Sequence, residues 1–253
     1  MSAGEIVQQL EGLMRKLWVN SFLILPLFLY FYFGDSISAK SPKTQQISMS
    51  EYQKSLDENS ARFLQIYGKT IKKYSDRYGF DWRLMIAVMK TESRFHPKAE
   101  SHRGAEGLMQ IMPVTQNQIA DELGVDEGDF QLPHTNIRGG IYYLGKLYRS
   151  FGGQGISEEN RIRLTLAAYN AGVGRIADAR AMARYMNDNP NEWSSVKSSL
   201  SLLSKKYSSL HKHVWETGHP SSGYYRQWQQ TTGYVEDIMF HYAEYCRTIP
   251  ANV

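Results

Sequence analysis

"DWRLMIAVMKTESRFHP", residues 81–97, decides the fold class of this 253-residue chain. From Trp82 to Met89 every position except Arg83 is apolar, so a helix formed here has no face for water and must be buried. Asp81 is placed to cap its first turn, and Pro97 forbids its continuation. The unusual feature is that a core helix runs out on a carboxylate, Glu92. By spacing alone that Glu reads as a surface partner for Lys90 or Arg94. At the end of a buried helix, desolvation and the negative end of the helix dipole would instead hold it protonated, as a general acid requires.

Helical signals continue on both sides. Phe63, Tyr67, Ile71, Tyr74 and Tyr78 recur at steps of four and three, and Gly79 ends that stripe. Downstream, "PVTQNQIADELG" reads as a helix opened by Pro113 and stopped at Gly124. "NIRGGIYYLGKLYRSFGG" sets Ile141, Leu144, Leu147 and Tyr148 on one side of another. "RIRLTLAAYNAGVGRI" is a third, interrupted where Asn170 meets Gly172 and Gly174. The Ser-rich stretch from Asp188 to Gly223 is expected to be a partly irregular excursion, and "TTGYVEDIMFHYAEYC" a closing helix. Strand signals are almost absent and no internal repeat is present. The chain is expected to be all-α.

Composition narrows the function. Hydrophobic residues make up 42% and charged residues 21%, which is globular rather than disordered. The 29 Lys and Arg against 25 Asp and Glu are dispersed, without the basic stripe that nucleic-acid binding needs. The single cysteine, Cys246, excludes an intrachain disulfide and a multi-cysteine metal site, and it reads as a core thiol. His211 and His213 form the only close histidine pair, with no carboxylate or cysteine to complete a metal site; no metal and no cofactor are expected.

The N-terminus carries a different signal. Arg15 and Lys16 precede an uncharged run, residues 17–34, and small residues follow up to a possible cleavage point after Ala39. That order is expected of a secretory signal, or of a membrane anchor, since the run approaches the roughly 20 residues needed to span a bilayer. Either reading places the remainder outside the cytoplasm. The expected organisation is a signal or anchor over residues 1–39, a linker and leading helix over 40–66, and the main domain over 67–253.

Two further segments change the reading of Glu92. In "GAEGLMQIMP", Gly104 and Gly107 mark a sharp bend or a close ligand approach, and Gln110 offers donors and an acceptor suited to a sugar. "AAYNAGVGR" again sets an amide, Asn170, and an aromatic, Tyr169, against glycines. Taken singly, each is as well explained by a helix-to-helix loop.

Together these segments carry a resemblance. "ESRF" at Glu92, "GLMQIMP" at Gly107, "NIRGGIYYL" at Asn136, "AAYNAGVGR" at Ala167 and "GYVEDIM" at Gly233 resemble, in order and spacing, the catalytic domain of the soluble lytic transglycosylases. The resemblance spans roughly Tyr67 to Tyr245 and implies a lysozyme-like α fold. It implies that Glu92 is the single catalytic acid/base, and that Ser93, Met109, Gln110, Tyr169 and Asn170 line a glycan groove. Tyr234 resembles the tyrosine that orients the catalytic Glu. The implied substrate is peptidoglycan, and the implied product a 1,6-anhydro sugar. Two alternatives stand beside it. One is a lysozyme-like hydrolase in which Glu106, Glu100 or Asp121 positions a water; the other is a non-catalytic glycan-binding protein. Glu106, in a loop beside Gly107, is expected to point to solvent.

Overall fold

The computed structural model describes residues 56–153 and 155–250. The expected export segment, residues 1–39, and the linker up to residue 55 lie outside the described residues. Nine helices are described: α1 Glu58–Tyr78, α2 Trp82–Ser93, α3 Pro113–Leu123, α4 Pro133–Ser150, α5 Glu158–Ala171, α6 Val173–Tyr185, α7 Trp193–Leu202, the single turn α8 Ser208–His211, and α9 Trp228–Thr248. Short 3₁₀ segments cover Glu127–Gln131 and Lys205–Tyr207. Among the described residues no strand forms; the extended pairing is confined to isolated bridges of Glu106 with Glu100 and with Ile111. None of the described helices is long and apolar enough to cross a membrane.

Helix α2 is the centre of the core. Leu84 through Met89 are all buried, as their uninterrupted apolar run requires. Asp81 caps the helix by accepting from Arg83 N at 2.9 Å. The same residues pin α2 to α9: Tyr242 donates to Asp81 at 3.1 Å and Arg83 Nη1 to the Ile249 carbonyl at 2.7 Å. Helix α1 packs on α2 and α4, while α5 packs against α4, α6 and α9. Phe63 and Leu64 are buried with the rest of the core, so the folded unit continues upstream of residue 67.

The Ser-rich excursion from Asp188 is partly irregular, as expected, over residues 188–192, 203–204 and from 212 onward. It also contains a full helix, α7, whose Trp193, Val196, Leu200 and following Leu203 are buried at helical spacing. The surrounding serines fill its outer face and mask that period. One expectation needs correction. Cys246 is only half-buried rather than a core thiol. In the "HKH" pair the rings diverge: His211 is buried with Nε2 on the Leu202 carbonyl, and His213 stacks beside Tyr185.

"NIRGG" proves to be a clamp. Asn136 is fully buried; its Oδ1 accepts from Met109 N at 2.8 Å, and its Nδ2 donates to the carbonyls of Glu106 and Phe130 at 3.0 and 3.1 Å. Gly107, at φ 76°, leaves room for that side chain: a Cβ there would lie 2.3 Å from Asn136 Nδ2. A Cβ on Gly139 would meet Phe130 at 2.4 Å, and one on Gly140 would meet Met109 at 2.5 Å. The two glycines therefore let α4 approach the "GLMQ" loop closely. Asn136→Ala would remove these partners from the Met109 N–H and the Phe130 carbonyl in the core, each costing about 1–3 kcal/mol, while the Glu106 carbonyl keeps Ile111 N at 3.0 Å. Urea denaturation should show a loss of about 3 kcal/mol or more, whereas a loss under about 0.5 kcal/mol would mean that the loop is held by other contacts.

Candidate active site

Glu92 is the second-last residue of α2, and the chain reverses immediately after it. Arg94 and Phe95 both take left-handed backbone conformations, at φ 51° and 65°. For non-glycine residues that costs roughly 1–2 kcal/mol each. Phe95 recovers part of the cost by stacking on Phe63, with ring centroids 4.4 Å apart. The return loop is tied down by its own backbone: Gly107 N donates to the Ala99 carbonyl at 2.8 Å, and Glu106 and Ile111 exchange both backbone hydrogen bonds.

Tyr234, from α9, donates its hydroxyl to Glu92 Oε1 at 2.6 Å. Oε2 has no partner among the described residues. Burial pushes the Glu92 carboxyl up from 4.5 to about 7, and the Tyr234 hydrogen bond pulls the other way. Burial and the Tyr234 hydroxyl are the two causes of the shift. Lys90, the simplest surface partner, is turned away: it pairs with Asp57 at 3.5 Å and lies over the Tyr245 ring. Tyr169 and Tyr234 are held well above the usual phenol range, first by burial and then by the Glu92 charge, so both remain neutral donors.

The other expected groove residues divide into two kinds. Tyr169 and Asn170 stand at the end of α5 with side chains toward the site: Tyr169 OH donates to the Met109 carbonyl at 2.7 Å, and Asn170 Oδ1 accepts from Thr231 at 2.7 Å. Ser93, Met109 and Gln110 face inward. Ser93 Oγ donates to the Met89 carbonyl, and the Met109 side chain is fully buried against Gly140. Gln110, at φ 47°, donates from Nε2 to the carbonyls of Ala99 and Gly107, which leaves only its amide oxygen for a ligand. Glu106 does not point freely into solvent as expected. It is partly buried, and Gln116 donates to its Oε2 at 3.2 Å. Asn136, Thr231 and Arg175 were not singled out by their sequence context; only the glycines beside Asn136 and Arg175 signalled close packing there.

A carboxyl raised toward neutrality at the end of a buried helix, held by a tyrosine from the closing helix, beside a glycine-punctuated loop, is an arrangement with known relatives. The family described as "Transglycosylase SLT domain" matches residues 69–192. Those residues belong to this family. A membrane-bound lytic murein transglycosylase F of Desulfosudis oleivorans is 39% identical over 175 residues, covering 68% of this chain and 34% of that protein. The protein of the same name from Yersinia pseudotuberculosis is 38% identical over 160 residues, covering 62% and 29%. This SLT chain thus spans about a third of the length of the curated relatives it matches. Among solved structures, the 70 kDa soluble lytic transglycosylase SLT70 of Escherichia coli superposes with a TM-score of 0.51 at 25% identity, covering 80% of this chain and 28% of that one. The all-α, lysozyme-like fold expected from the sequence is the SLT fold.

The raised Glu92 carboxyl has a consequence for stability. Because its folded value lies above its unfolded one, the native state binds the proton more tightly, and stability falls as pH rises from about 4.5 to about 7. Above that window the penalty approaches about 3 kcal/mol. Glu92→Gln should therefore be more stable than the native chain at pH 8 and equal to it below about pH 4.5, as measured by paired denaturation curves. A pH-independent difference would contradict the buried-acid assignment. Tyr234→Phe should move the Glu92 titration, followed by carboxyl NMR, to still higher pH.

Proposed function

We propose that this SLT domain is a peptidoglycan lytic transglycosylase. It would cleave the β-1,4 bond between N-acetylmuramic acid and N-acetylglucosamine and leave a 1,6-anhydro-N-acetylmuramic end. The observation that carries this reading is Glu92, whose carboxyl is raised to about 7 by burial and oriented through Oε1 by Tyr234. Its Oε2 is left to face substrate. In the forward step Oε2 donates its proton to the departing glycosidic oxygen, while the substrate's acetamido oxygen supports C1. The resulting carboxylate, stabilised by Tyr234, then takes the proton of the muramyl C6 hydroxyl as that oxygen bonds to C1. The carboxyl is restored and no water is consumed.

An internal nucleophile explains why one carboxylate suffices. A well-oriented intramolecular hydroxyl has an effective concentration of about 10⁵–10⁸ M, far above any activity of water. Hydrolytic glycosidases instead place a second carboxylate about 5–9.5 Å from the first. Glu106, the nearest candidate in sequence to the "GLMQ" turn, is engaged by Gln116 and adds nothing to the electrostatics of Glu92. Digestion of purified sacculi should release fragments that end in 1,6-anhydromuramic acid, each lighter by one water than a hydrolytic product. Glu92→Gln should lower the release at least about 10²–10⁴-fold. Reducing-end muramic acid as the main product would instead support the hydrolase, and full activity in a folded Glu92→Gln protein would remove Glu92 from the mechanism.

Its place of action follows from the same reading. Relatives named membrane-bound, together with the order Arg15–Lys16, uncharged residues 17–34 and small residues to Ala39, support export to the cell envelope. Fractionation should find the protein outside the cytosol. A new N-terminus near Lys40 would mark a cleaved signal, retention in membranes an anchor, and a full-length cytosolic protein would contradict export.

A further inference from the structure

The elbow between α5 and α6 opens on a small cleft of about 100 Å³, lined by Arg103, Asn170, Arg175, Tyr225, Gln227 and Gln230. It holds two guanidinium groups and no carboxylate. Arg175 lies over the Tyr225 ring, 5.1 Å from its centroid, and its Nη1 donates to the Ala171 carbonyl at 2.9 Å. Its Nε is buried and has no hydrogen-bond partner. A buried donor without a partner is uncommon enough to require an explanation. The acid one turn further along α6, Asp178, cannot supply one, because its two oxygens accept from Ser221 N and Ser222 N at 3.1 and 2.8 Å. Among the described residues Arg175 has no counter-ion.

The cleft adjoins the catalytic centre. Gln230 and Tyr234 are four residues apart on α9, so one helical turn, about 6 Å, separates the cleft from the tyrosine that holds Glu92. Asn170 is fixed at the cleft's edge through Thr231, whose hydroxyl also meets Tyr225 OH at 2.5 Å. With Nη1 on the Ala171 carbonyl and Nε buried, Nη2 is the nitrogen left for a ligand, and a carboxylate oxygen there would meet the guanidinium charge in a charge-assisted hydrogen bond. A neutral sugar hydroxyl would satisfy one donor and leave the charge uncompensated.

We propose that Arg175, assisted by Arg103 of the same cleft, forms a subsite for a carboxylate on the lactyl arm of the muramyl residue beside the cut. This inference rests on the proposed cleavage of peptidoglycan. The carboxylate has two sources: the free lactyl group of a strand stripped of peptide, or an acidic residue of the attached peptide.

The test uses the full chain carrying Glu92→Gln, so that ligands bind without being cut. Titration calorimetry would compare three tetrasaccharides: a neutral N-acetylglucosamine tetramer, an alternating strand with free lactyl carboxylates, and the same strand bearing peptides. Added Arg175→Gln should weaken binding of at least one acidic ligand about 10-fold or more, while the neutral tetramer changes less than about twofold. Added Gln230→Glu, an exposed position, would place a carboxylate in the cleft and should reproduce that loss without disturbing the core. Loss on the stripped strand identifies the lactyl group as the ligand, and loss confined to the peptide-bearing strand identifies the peptide. Equal weakening of all three ligands, or no weakening of either acidic one, would overturn the subsite and leave the glycan reading standing. Failure of the Glu92→Gln chain to bind any of the three would remove both.

Discussion

The antiparallel pairing of α2 with α9 is the constraint on which the rest of the molecule depends. A helix as apolar as Trp82–Met89 gains several kcal/mol only if every face is covered, and α9 covers the face that leads to Glu92. Polar contacts fix the register at both ends. Asp81 and Arg83 hold the N-terminus of α2 to Tyr242 and Ile249, and Tyr234 receives Glu92 at its C-terminus. The hydrophobic burial that stabilises the fold is thus also what raises the Glu92 carboxyl. Stability and chemistry draw on the same packing, and neither could be altered at this helix without the other.

Strain collects where that pairing ends. Of the four non-glycine residues with positive φ among those described, Arg94, Phe95 and Gln110 flank the site. Such conformations persist only when their surroundings over-determine them. Here the surroundings are specific: the Phe63–Phe95 stack, the two hydrogen bonds that Gln110 donates to the carbonyls of Ala99 and Gly107, and the Asn136 clamp on Met109 N. The result is a loop whose backbone is already in place before any ligand arrives. That preorganisation lowers the ordering cost of binding.

The elements with long apolar stripes were legible in the sequence, because periodicity reports burial directly. Helix α2, the break at Gly172 and the position of Glu92 at a helix end all follow from it. Helix α7 was not legible, since serine on its outer face dilutes a period that only Trp193, Val196 and Leu200 carry. The site was readable in part. The position of Glu92 at the end of a buried helix points to proton chemistry, and the resemblance adds Tyr169 and Tyr234, but neither says which atoms are already spent. Gln110 looks like a sugar ligand until both its N–H groups are seen to hold the loop. Glu106 looks free until Gln116 is found on it. Arg175 has the opposite history: unremarkable within "YNAGVGR", it becomes conspicuous only when its Nε proves to lack a partner.

Under the proposed chemistry one carboxyl must give a proton and later take one within a single turnover. Such a group works best when neither form is strongly favoured at ambient pH, since a weak acid protonates poorly and a strong one is a poor base. Burial alone would push Glu92 further toward the acid form and slow the second step. The Tyr234 hydroxyl, donated to Oε1, favours the anion and offsets part of that push. Because Tyr234 is itself kept neutral by burial, it supports the charge of the carboxylate without competing for its proton. The balance near 7 therefore rests on burial at the end of α2 and on one hydroxyl from α9. It exists because α9 closes against α2 along its length, which is the packing that the apolar run from Trp82 makes obligatory.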